Sequence, residues 1–288
     1  NDERISAIST IAGNGMLGAQ PQGQSATRTP IQPKALAPVS GDRVYILGRN
    51  GIFRLEADNT FTKIAGGQGG SLGGPALDFP IDADALAVDG DLLVFGRRNA
   101  SELYQIDLMT GIVDIFAVGA PCRQLIFEPS GDLLALTDGI VRRVSRTTRL
   151  ASTVCGDTNI GTSGDGGPAT LARTTAEGML LEPNGDILLA ETQGHKLRRI
   201  AAATGIITTI AGTGQLGGAN GDGGPATAAQ IVGPRRLARN DAGELFILTG
   251  STIRKIDTAG IITTVAGTGS DTGEGVSPRL SASLGQFD

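Results

Sequence analysis

The chain of 288 residues is poor in the side chains that build metal centres or stack on nucleic-acid bases. It has one histidine, two cysteines, two tyrosines, eight phenylalanines and no tryptophan. A single histidine excludes a histidine-rich metal centre, and the scarcity of aromatic rings disfavours base stacking. The formal net charge of −5 also disfavours a phosphate backbone as partner. We therefore expect no cofactor, no metal site and no nucleic-acid partner.

Long hydrophobic runs are missing as well. No stretch of about 20 apolar residues occurs, so we expect no membrane-spanning helix. Glycine, by contrast, is abundant at 44 residues, and 40% of the chain is hydrophobic. A disordered linker has too little apolar surface to match this composition, which indicates that the glycines punctuate turns in a folded chain.

One phrase recurs along the sequence and indicates an internal repeat. Its clearest part is the string GDGGPAT, found at 164–170 and 221–227 after a segment of strand-like residues. Aligning the apolar residue that ends each strand-like segment gives six anchors, spaced by 53, 52, 38, 56 and 55 residues: Ile11, Ile64, Phe116, Val154, Ile210 and Val265. The anchors delimit five units.

Four short strands are predicted in each unit. Apolar runs such as LLVFG (92–96) and ILLAE (187–191) are bounded by Gly and Asp turns, which favours buried strands over helices. Turns such as PSGD and PNGD place glycine where a hairpin requires a positive φ. Four strands per unit are typical of a β-propeller, whose blades bury their faces against their neighbours. The predicted fold is therefore all-β, a propeller of four-stranded blades.

The repeated strings resemble the NHL-repeat family over nearly the whole chain. The match comprises P-x-x-L-A-x-x-x-x-G-x-L-[FY]-I, an [IVL]-R-[KR]-I strand, G-x-I-T-T-[IV]-A-G-T-G and GDGGPAT, and it is clearest from Pro234 to Gly269. The GDGGPAT variant is similar to bacterial secreted or surface propellers and to the propeller of teneurin-type adhesion proteins, which implies a recognition platform. The family carries Asp at the end of the middle strand, and the sequence departs from it at these places: Gly48, Gly96, Thr137, Thr192 and Thr249.

The predicted blades lie in one domain covering 1–288, at about 35–66, 83–118, 123–156, 176–212 and 235–267. Residues 4–12 are predicted to form the outermost strand of a further blade, whose inner strands are not in the sequence. This predicts a six-bladed type with five complete blades and one orphan outer strand, as part of a longer protein. A five-bladed ring with a spare strand is the alternative.

The two cysteines fall on the first and last strands of one predicted blade. Cys122 and Cys155 would then lie about 14 Å apart, at about 4.8 Å per neighbouring strand. That separation is too large for a disulfide unless the loops fold back. We expect two free, buried thiols.

Strand alternation predicts which end of the blades carries variable loops. Loops between blades and the turns joining second to third strands emerge at one end, whereas the remaining turns, such as those containing SGD and TAG, are uniformly tight. Binding residues are commonly carried by variable loops on a rigid scaffold. The candidate binding residues at this end are Arg49, Arg97, Arg98, Gln193 and His195. No catalytic residue is assigned.

The GDGGPAT loops contain Asp165 and Asp222, which are predicted to be structural loop caps. In this interpretation each carboxylate accepts hydrogen bonds from nearby backbone N–H groups. Calcium is the alternative, but a calcium site takes about six to eight oxygen ligands, and each loop supplies one carboxylate.

Basic residues recur on the third predicted strands. They are Arg54, Arg142, Arg143, Arg198, Arg199, Arg254 and Lys255. We expect them to bridge to neighbouring loops or carboxylates rather than to bind nucleic acid.

These patterns predict a non-catalytic recognition module that binds a protein or glycan partner outside the bacterial cytoplasm: extracellular, periplasmic or at the cell surface. Low charge and scarce lysine fit an exported protein. The alternative is a propeller lyase or hydrolase with its site at the mouth of the central channel. Carboxylates from several blades can assemble there without a local sequence signature.

Overall fold

The fold is taken from a computed structural model that describes residues 33–39, 43–157, 159, 161–217 and 220–267. The predicted orphan strand at 4–12 lies outside the described residues. The described part contains five four-stranded sheets, so a sixth blade is not confirmed.

Each sheet is antiparallel wherever its pairing is described, and its strands follow one another in chain order. This confirms the predicted all-β propeller of four-stranded blades. The strands are β1 (Pro33–Val39), β2 (Arg43–Gly48), β3 (Gly51–Leu55) and β4 (Phe61–Ala65); β5 (Ala85–Asp89), β6 (Leu92–Gly96), β7 (Glu102–Asp107) and β8 (Ile112–Val118); β9 (Gln124–Phe127), β10 (Leu133–Thr137), β11 (Ile140–Val144) and β12 (Ala151–Cys155); β13 (Ala176–Leu181), β14 (Ile187–Glu191), β15 (Lys196–Ile200) and β16 (Ile207–Ala211); β17 (Arg236–Arg239), β18 (Leu245–Leu248), β19 (Ile253–Ile256) and β20 (Ile262–Ala266).

A register shift recurs between the third and fourth strands of four sheets. It lies between Ile52 and Phe53 in the first sheet and between Leu103 and Tyr104 in the second. The fourth and fifth sheets shift just before Arg198 and just before Arg254. A bulge of this kind re-aims the side chain that follows it. Phe53, Tyr104, Arg198 and Arg254 therefore occupy equivalent positions.

The chain divides into two compact units. One comprises residues 1–135 and 144–151, and the other comprises 136–143 and 152–288. In the first unit, two apolar clusters fill the spaces between successive sheets, for example where Leu93 and Phe95 join Leu47 and Ile52. In the second unit, Leu197 and Ile247 belong to the cluster that packs the fourth sheet against the fifth.

The loops between sheets cover the outer edge of the sheet that follows them. Isolated bridges pair Pro75 with Ile112, Pro168 with Ile206, and Pro225 with Ile261. Short 3-10 helices, Ala169–Leu171 and Ala226–Ala228, follow two of these bridges. Because an uncovered edge strand exposes unpaired backbone groups, each loop closes the blade on which it lies.

Both cysteines are free and buried, as the sequence predicted. Burial raises the pKa of each thiol to about 12. Neither thiol is therefore a reactive thiolate at neutral pH.

Candidate functional site

The turn that joins β2 to β3 lies at the same end of its sheet as the loop that follows β4. A Cβ added at Gly66, the first loop residue, would collide with the backbone oxygen of Asn50 in that turn. The same contact recurs in the fourth sheet, where Gly212 packs on the backbone of His195. The predicted binding residues and the inter-sheet loops therefore share one end of these blades.

An open groove of about 640 Å³ lies at this end of the first unit. We call it the loop-end groove; it is lined by Pro33, Lys34, Arg49, Asn50, Ile81 and Asp82. The side chain of Arg49 is exposed, and no described residue hydrogen-bonds it. Arg49 thus offers a complete fork of donors to a ligand.

Arg97 and Arg98 each bind an aspartate at or beside this groove. Arg97 forms an ion pair with Asp82, and the backbone N–H of Arg98 donates to Asp84 at 3.0 Å. Lys34 lies 3.8 Å from that same Asp84 carboxylate and donates to the carbonyl of Ala83. The structure therefore brings together three of the five predicted binding residues, with Lys34 and two carboxylates that sequence reasoning missed.

Gln193 and His195 belong to the second unit, in the turn joining β14 to β15. Gln193 is exposed. His195 is half-buried at a positive φ of 52°, and its Nδ1 accepts a hydrogen bond from the N–H of Gly233 at 3.1 Å. His195 therefore holds its turn against the next loop, which leaves Gln193 as the more available of the two.

Asp165 and Asp222 each pair with a fully buried arginine. Asp165 accepts from Nε of Arg198 at 2.7 Å, and Asp222 accepts from Nη2 of Arg254 at 2.5 Å. Both arginine side chains are 0% exposed. The bridging expected of third-strand arginines is thus present at these two positions. The carboxylates are held mainly across the blade rather than by the adjacent backbone.

Sequence reasoning missed Glu191 at the end of β14. The family alignment placed Thr192 at the acidic position, but the register opposite Lys196 puts Glu191 at the end of the strand. Its buried carboxylate lies 3.2 Å from Nη1 of Arg198. Burial raises the pKa of Glu191 more than Arg198 lowers it. The fourth blade therefore retains a carboxylate where the resemblance implies one.

Among the described residues, no group of three or more His, Cys, Asp or Glu side chains lies close enough together to hold a metal ion. Likewise, no helix among the described residues is long and apolar enough to cross a membrane. The chemistry that the loop-end groove offers is hydrogen bonding and charge pairing.

Residues 217–283 match the family model of the teneurin NHL domain. This match, together with the four-stranded blades, supports an NHL-repeat propeller. A 94-residue segment is 33% identical to teneurin-3 from Danio rerio, covering 29% of this chain and 4% of that protein. A longer match, 25% identical over 264 residues, covers 87% of the chain and 22% of the chloroplastic protein SUPPRESSOR OF QUENCHING 1 from Arabidopsis thaliana. The propeller thus spans less than a quarter of the length of either relative.

Solved structures share the fold at low sequence identity. An auxiliary nutrient-binding protein from Bacteroides thetaiotaomicron is 15% identical with a TM-score of 0.59, over 88% of this chain and 62% of that one. A virginiamycin B lyase from Staphylococcus aureus, solved as an inactive variant with quinupristin, is 17% identical with a TM-score of 0.56, over 85% and 73% of the two chains. One scaffold thus serves both a binding protein and an enzyme.

Proposed function

We propose that this propeller is a non-catalytic recognition module that binds a protein or glycan partner at the loop-end groove. The observation that carries the proposal is the exposed guanidinium of Arg49, which no described residue pairs, in a groove that also presents Asn50 and Asp82. These side chains supply donors and acceptors for hydroxyl and carboxylate groups. The ion pair with Arg97 holds the Asp82 carboxylate, a hydrogen-bond acceptor, in position on the groove wall.

A recognition role also agrees with how the groove is built. The charges that border it are balanced by neighbours in the same unit, as at Lys34 and Asp84. Arg49 is therefore the charged group for which a bound partner would supply hydrogen bonds that the described residues do not. Arg is also a frequent hot-spot residue at interfaces.

We propose an extracellular, periplasmic or cell-surface location in a bacterium. The composition, low in charge and scarce in lysine, supports an exported protein. The nutrient-binding protein of Bacteroides with the same fold supports a role in capturing ligands.

The test is a glycan array probed with the purified chain and with two groove variants, Arg49→Ala and Arg97→Ala. Asn184→Ala is the matched control, because Asn184 lies in an exposed turn at the opposite end of the fourth sheet. We expect loss of the bound glycans in both groove variants and retention in the control. Equal loss in all three variants, or loss in the control alone, would sink the assignment. If the array is blank, the same variants are tested against candidate surface proteins.

A second candidate is a lyase or hydrolase with a site at the mouth of the channel, and the lyase with the same fold favours it. Incubation of the chain with quinupristin, followed by chromatography, tests this candidate. A new product peak that grows with protein concentration would favour the enzyme over the recognition module.

We also retain the proposal of a single six-bladed domain in which residues 4–12 supply an outermost strand. The strand-like phrase STIAGNG at 9–15 supports it. An experimental structure in which this segment pairs with Ile262–Ala266 would replace it with the five-bladed alternative.

A further inference from the structure

The third blade lacks the long preceding loop that the fourth and fifth blades have. The loops before those two blades run from 156 to 175 and from 212 to 235, whereas only residues 119–123 lie between β8 and β9. These five residues span at most about 18 Å when fully extended. Crossing from the outer strand of one blade to the first strand of the next takes about 14 Å, or three strand spacings. The short linker therefore cannot also fold over the outer strand β12.

The outer strand β12 is correspondingly open. Its first three residues are exposed, whereas the corresponding residues of β16 are buried or half-buried. Backbone hydrogen bonds join the preceding loop to β16 and β20, as from Gly166 to Ile207 and from Gly223 to Ile262. Among the described residues, no such bond or bridge joins a loop to β12. An open edge strand presents unpaired backbone groups to another chain, and we call β12 the open edge of the third blade.

In the covered blades, the loop carboxylate is bound by a threonine of the outer strand as well as by the buried arginine. Asp165 accepts a hydrogen bond from the hydroxyl of Thr209. Asp222 accepts one from the backbone N–H of Thr264 at 2.9 Å. The arginine and the threonine together therefore form the receptor for one aspartate side chain.

The third blade has the same arginine and threonine without the aspartate. The strand IVRRV places Arg142 where β15 has Arg198, and ASTVC places Thr153 where β16 has Thr209. No hydrogen bond or ion pair joins Arg142 to a described residue. Arg142 is half-buried and Thr153 is exposed, whereas Arg198 is fully buried beneath its loop. Both groups of the third blade, which lie in the second unit, are therefore accessible to a ligand.

We propose that the open edge of the third blade binds an extended, glycine-rich segment of a partner protein through an aspartate side chain. The carboxylate accepts from the guanidinium of Arg142 and from the hydroxyl and N–H of Thr153. The unpaired positive charge selects an acidic residue, because a bond between two charged groups is stronger than a neutral one. Glycine follows the aspartate because Gly166 and Gly223 of the covering loops adopt a positive φ of 80°.

The occupant is a different protein rather than a second copy of this chain. Asp165 and Asp222, the aspartates of the two GDGGPAT loops, are already bound within their own blades. The open edge shares no residue with the loop-end groove, so this inference goes beyond the proposed function.

The test is a nuclear magnetic resonance titration of the 288-residue chain with two capped peptides. One has the sequence of residues 162–171, TSGDGGPATL, and the other has Asn in place of its aspartate. We expect the aspartate peptide to bind at least about tenfold more tightly, because charge-assisted hydrogen bonds are about twice as strong as neutral ones. It is also expected to shift the amide signal of Thr153.

Arg142→Met is expected to weaken binding of the aspartate peptide at least about tenfold, and Thr153→Val to weaken it by a smaller factor. Because Arg142 has no carboxylate partner to release, we expect Arg142→Met to keep the melting temperature of the parent chain. Arg143→Met is the matched control, since adjacent residues of a strand point to opposite faces. It is expected to leave peptide binding unchanged.

The inference is overturned if the aspartate peptide does not bind, if both peptides bind equally well, or if Arg142→Met binds as tightly as the parent chain. A dimer that dissociates in Arg142→Met, with no peptide binding, would assign the edge to a second copy instead. If Arg142→Met does not fold, Thr153→Val decides alone, and unchanged affinity in that variant rejects the site.

Discussion

The loop before the second sheet and the loops before the fourth and fifth sheets follow the same path with different side chains. Gly73 and Gly166 donate to the carbonyls of Val113 and Ile207 at equivalent points, both at 2.8 Å. Gly67 and Asp157 likewise donate to Phe79 and Ala172. Leu72 therefore stands where the GDGGPAT loop has Asp165.

In each third strand, the residue after the bulge differs according to the loop that covers that strand. Where the loop has aspartate, the position after the bulge is arginine, as at Arg198 and Arg254. Where the loop has Leu72, that position is Tyr104, whose ring lies 5.5 Å from the rings of Phe79 and Phe95. In one blade the loop contacts the third strand through tilted aromatic rings, and in two blades it does so through an ion pair. The loop and the third strand therefore form matched sets.

The largest effect is expected from removing the buried arginine of the fourth sheet. Arg198 is 3.2 Å from the buried Glu191 carboxylate and also donates to the carbonyls of Arg173 and Ser163. Arg198→Met leaves a buried carboxylate without its partner, a change that costs about 3–5 kcal/mol. The measurement is the free energy of unfolding from urea denaturation.

Arg254→Met is the matched comparison in the fifth sheet. In the fifth sheet, Thr249 stands at the end of the middle strand, where the fourth sheet has Glu191, and it hydrogen-bonds Thr252. The Asp222 carboxylate, which would lose its arginine partner, is 44% exposed. We expect a smaller loss, about 1–3 kcal/mol. An equal loss in the two variants would show that Glu191 adds nothing to the difference between the blades.

A comparable loss is expected from the other side of the fifth-sheet pair. Asp222→Ala leaves Arg254 with its bond to the carbonyl of Gln230 at 2.7 Å but without its charge partner. We expect a loss of about 1–3 kcal/mol, and no effect of calcium on the melting temperature of either protein. A rise with calcium that the substitution abolishes would indicate a metal site instead.

The same aspartate has a predictable pH dependence. Burial alone would raise the pKa of Asp222, but hydrogen bonds from Thr264 and Arg254 outweigh it and lower the pKa. Its contribution to stability is therefore full above the ordinary carboxyl pKa of 3.8 and is lost as the pH falls through the lower folded value. Asp222→Ala should flatten this acid limb of the stability curve.

The smallest effect is expected from Glu191, whose contribution to the pH dependence of stability has the opposite sign to that of Asp222. Burial raises its pKa above 4.5, so the folded state binds a proton more tightly than the unfolded state. Stability from this group should fall as the pH rises through the raised value. Glu191→Gln is expected to flatten the stability curve at pH values above the ordinary carboxyl pKa of 4.5. An unchanged slope would contradict the raised pKa.

The repeat made most of the fold predictable. Short apolar runs between glycine turns gave the strands, and Gly185 and Gly243 adopt the positive φ that their turns require. The replacement of aspartate by Leu72 was missed because SLGGPAL at 71–77 was not aligned with GDGGPAT, although both contain GGPA. The backbone hydrogen bond from Gly73 to Val113 shows that the two loops follow the same path.

The candidate sites were less predictable. Arg49 and Arg97 were found because second-to-third turns share the loop end of the blades. Glu191 was missed because the assignment was one residue out of register.

Transplanting the polar set into the second sheet tests the matched-set account most directly. Tyr104→Arg alone places an unpaired charge at the half-buried position of Tyr104 and should destabilise the chain by about 1–3 kcal/mol. Adding Leu72→Asp and Phe79→Ala, which supply the partner and the space found in the GDGGPAT loops, should recover at least about 1 kcal/mol beyond additivity in a mutant cycle. Urea denaturation of the four proteins gives the coupling energy. Additive or worsening effects would contradict the account.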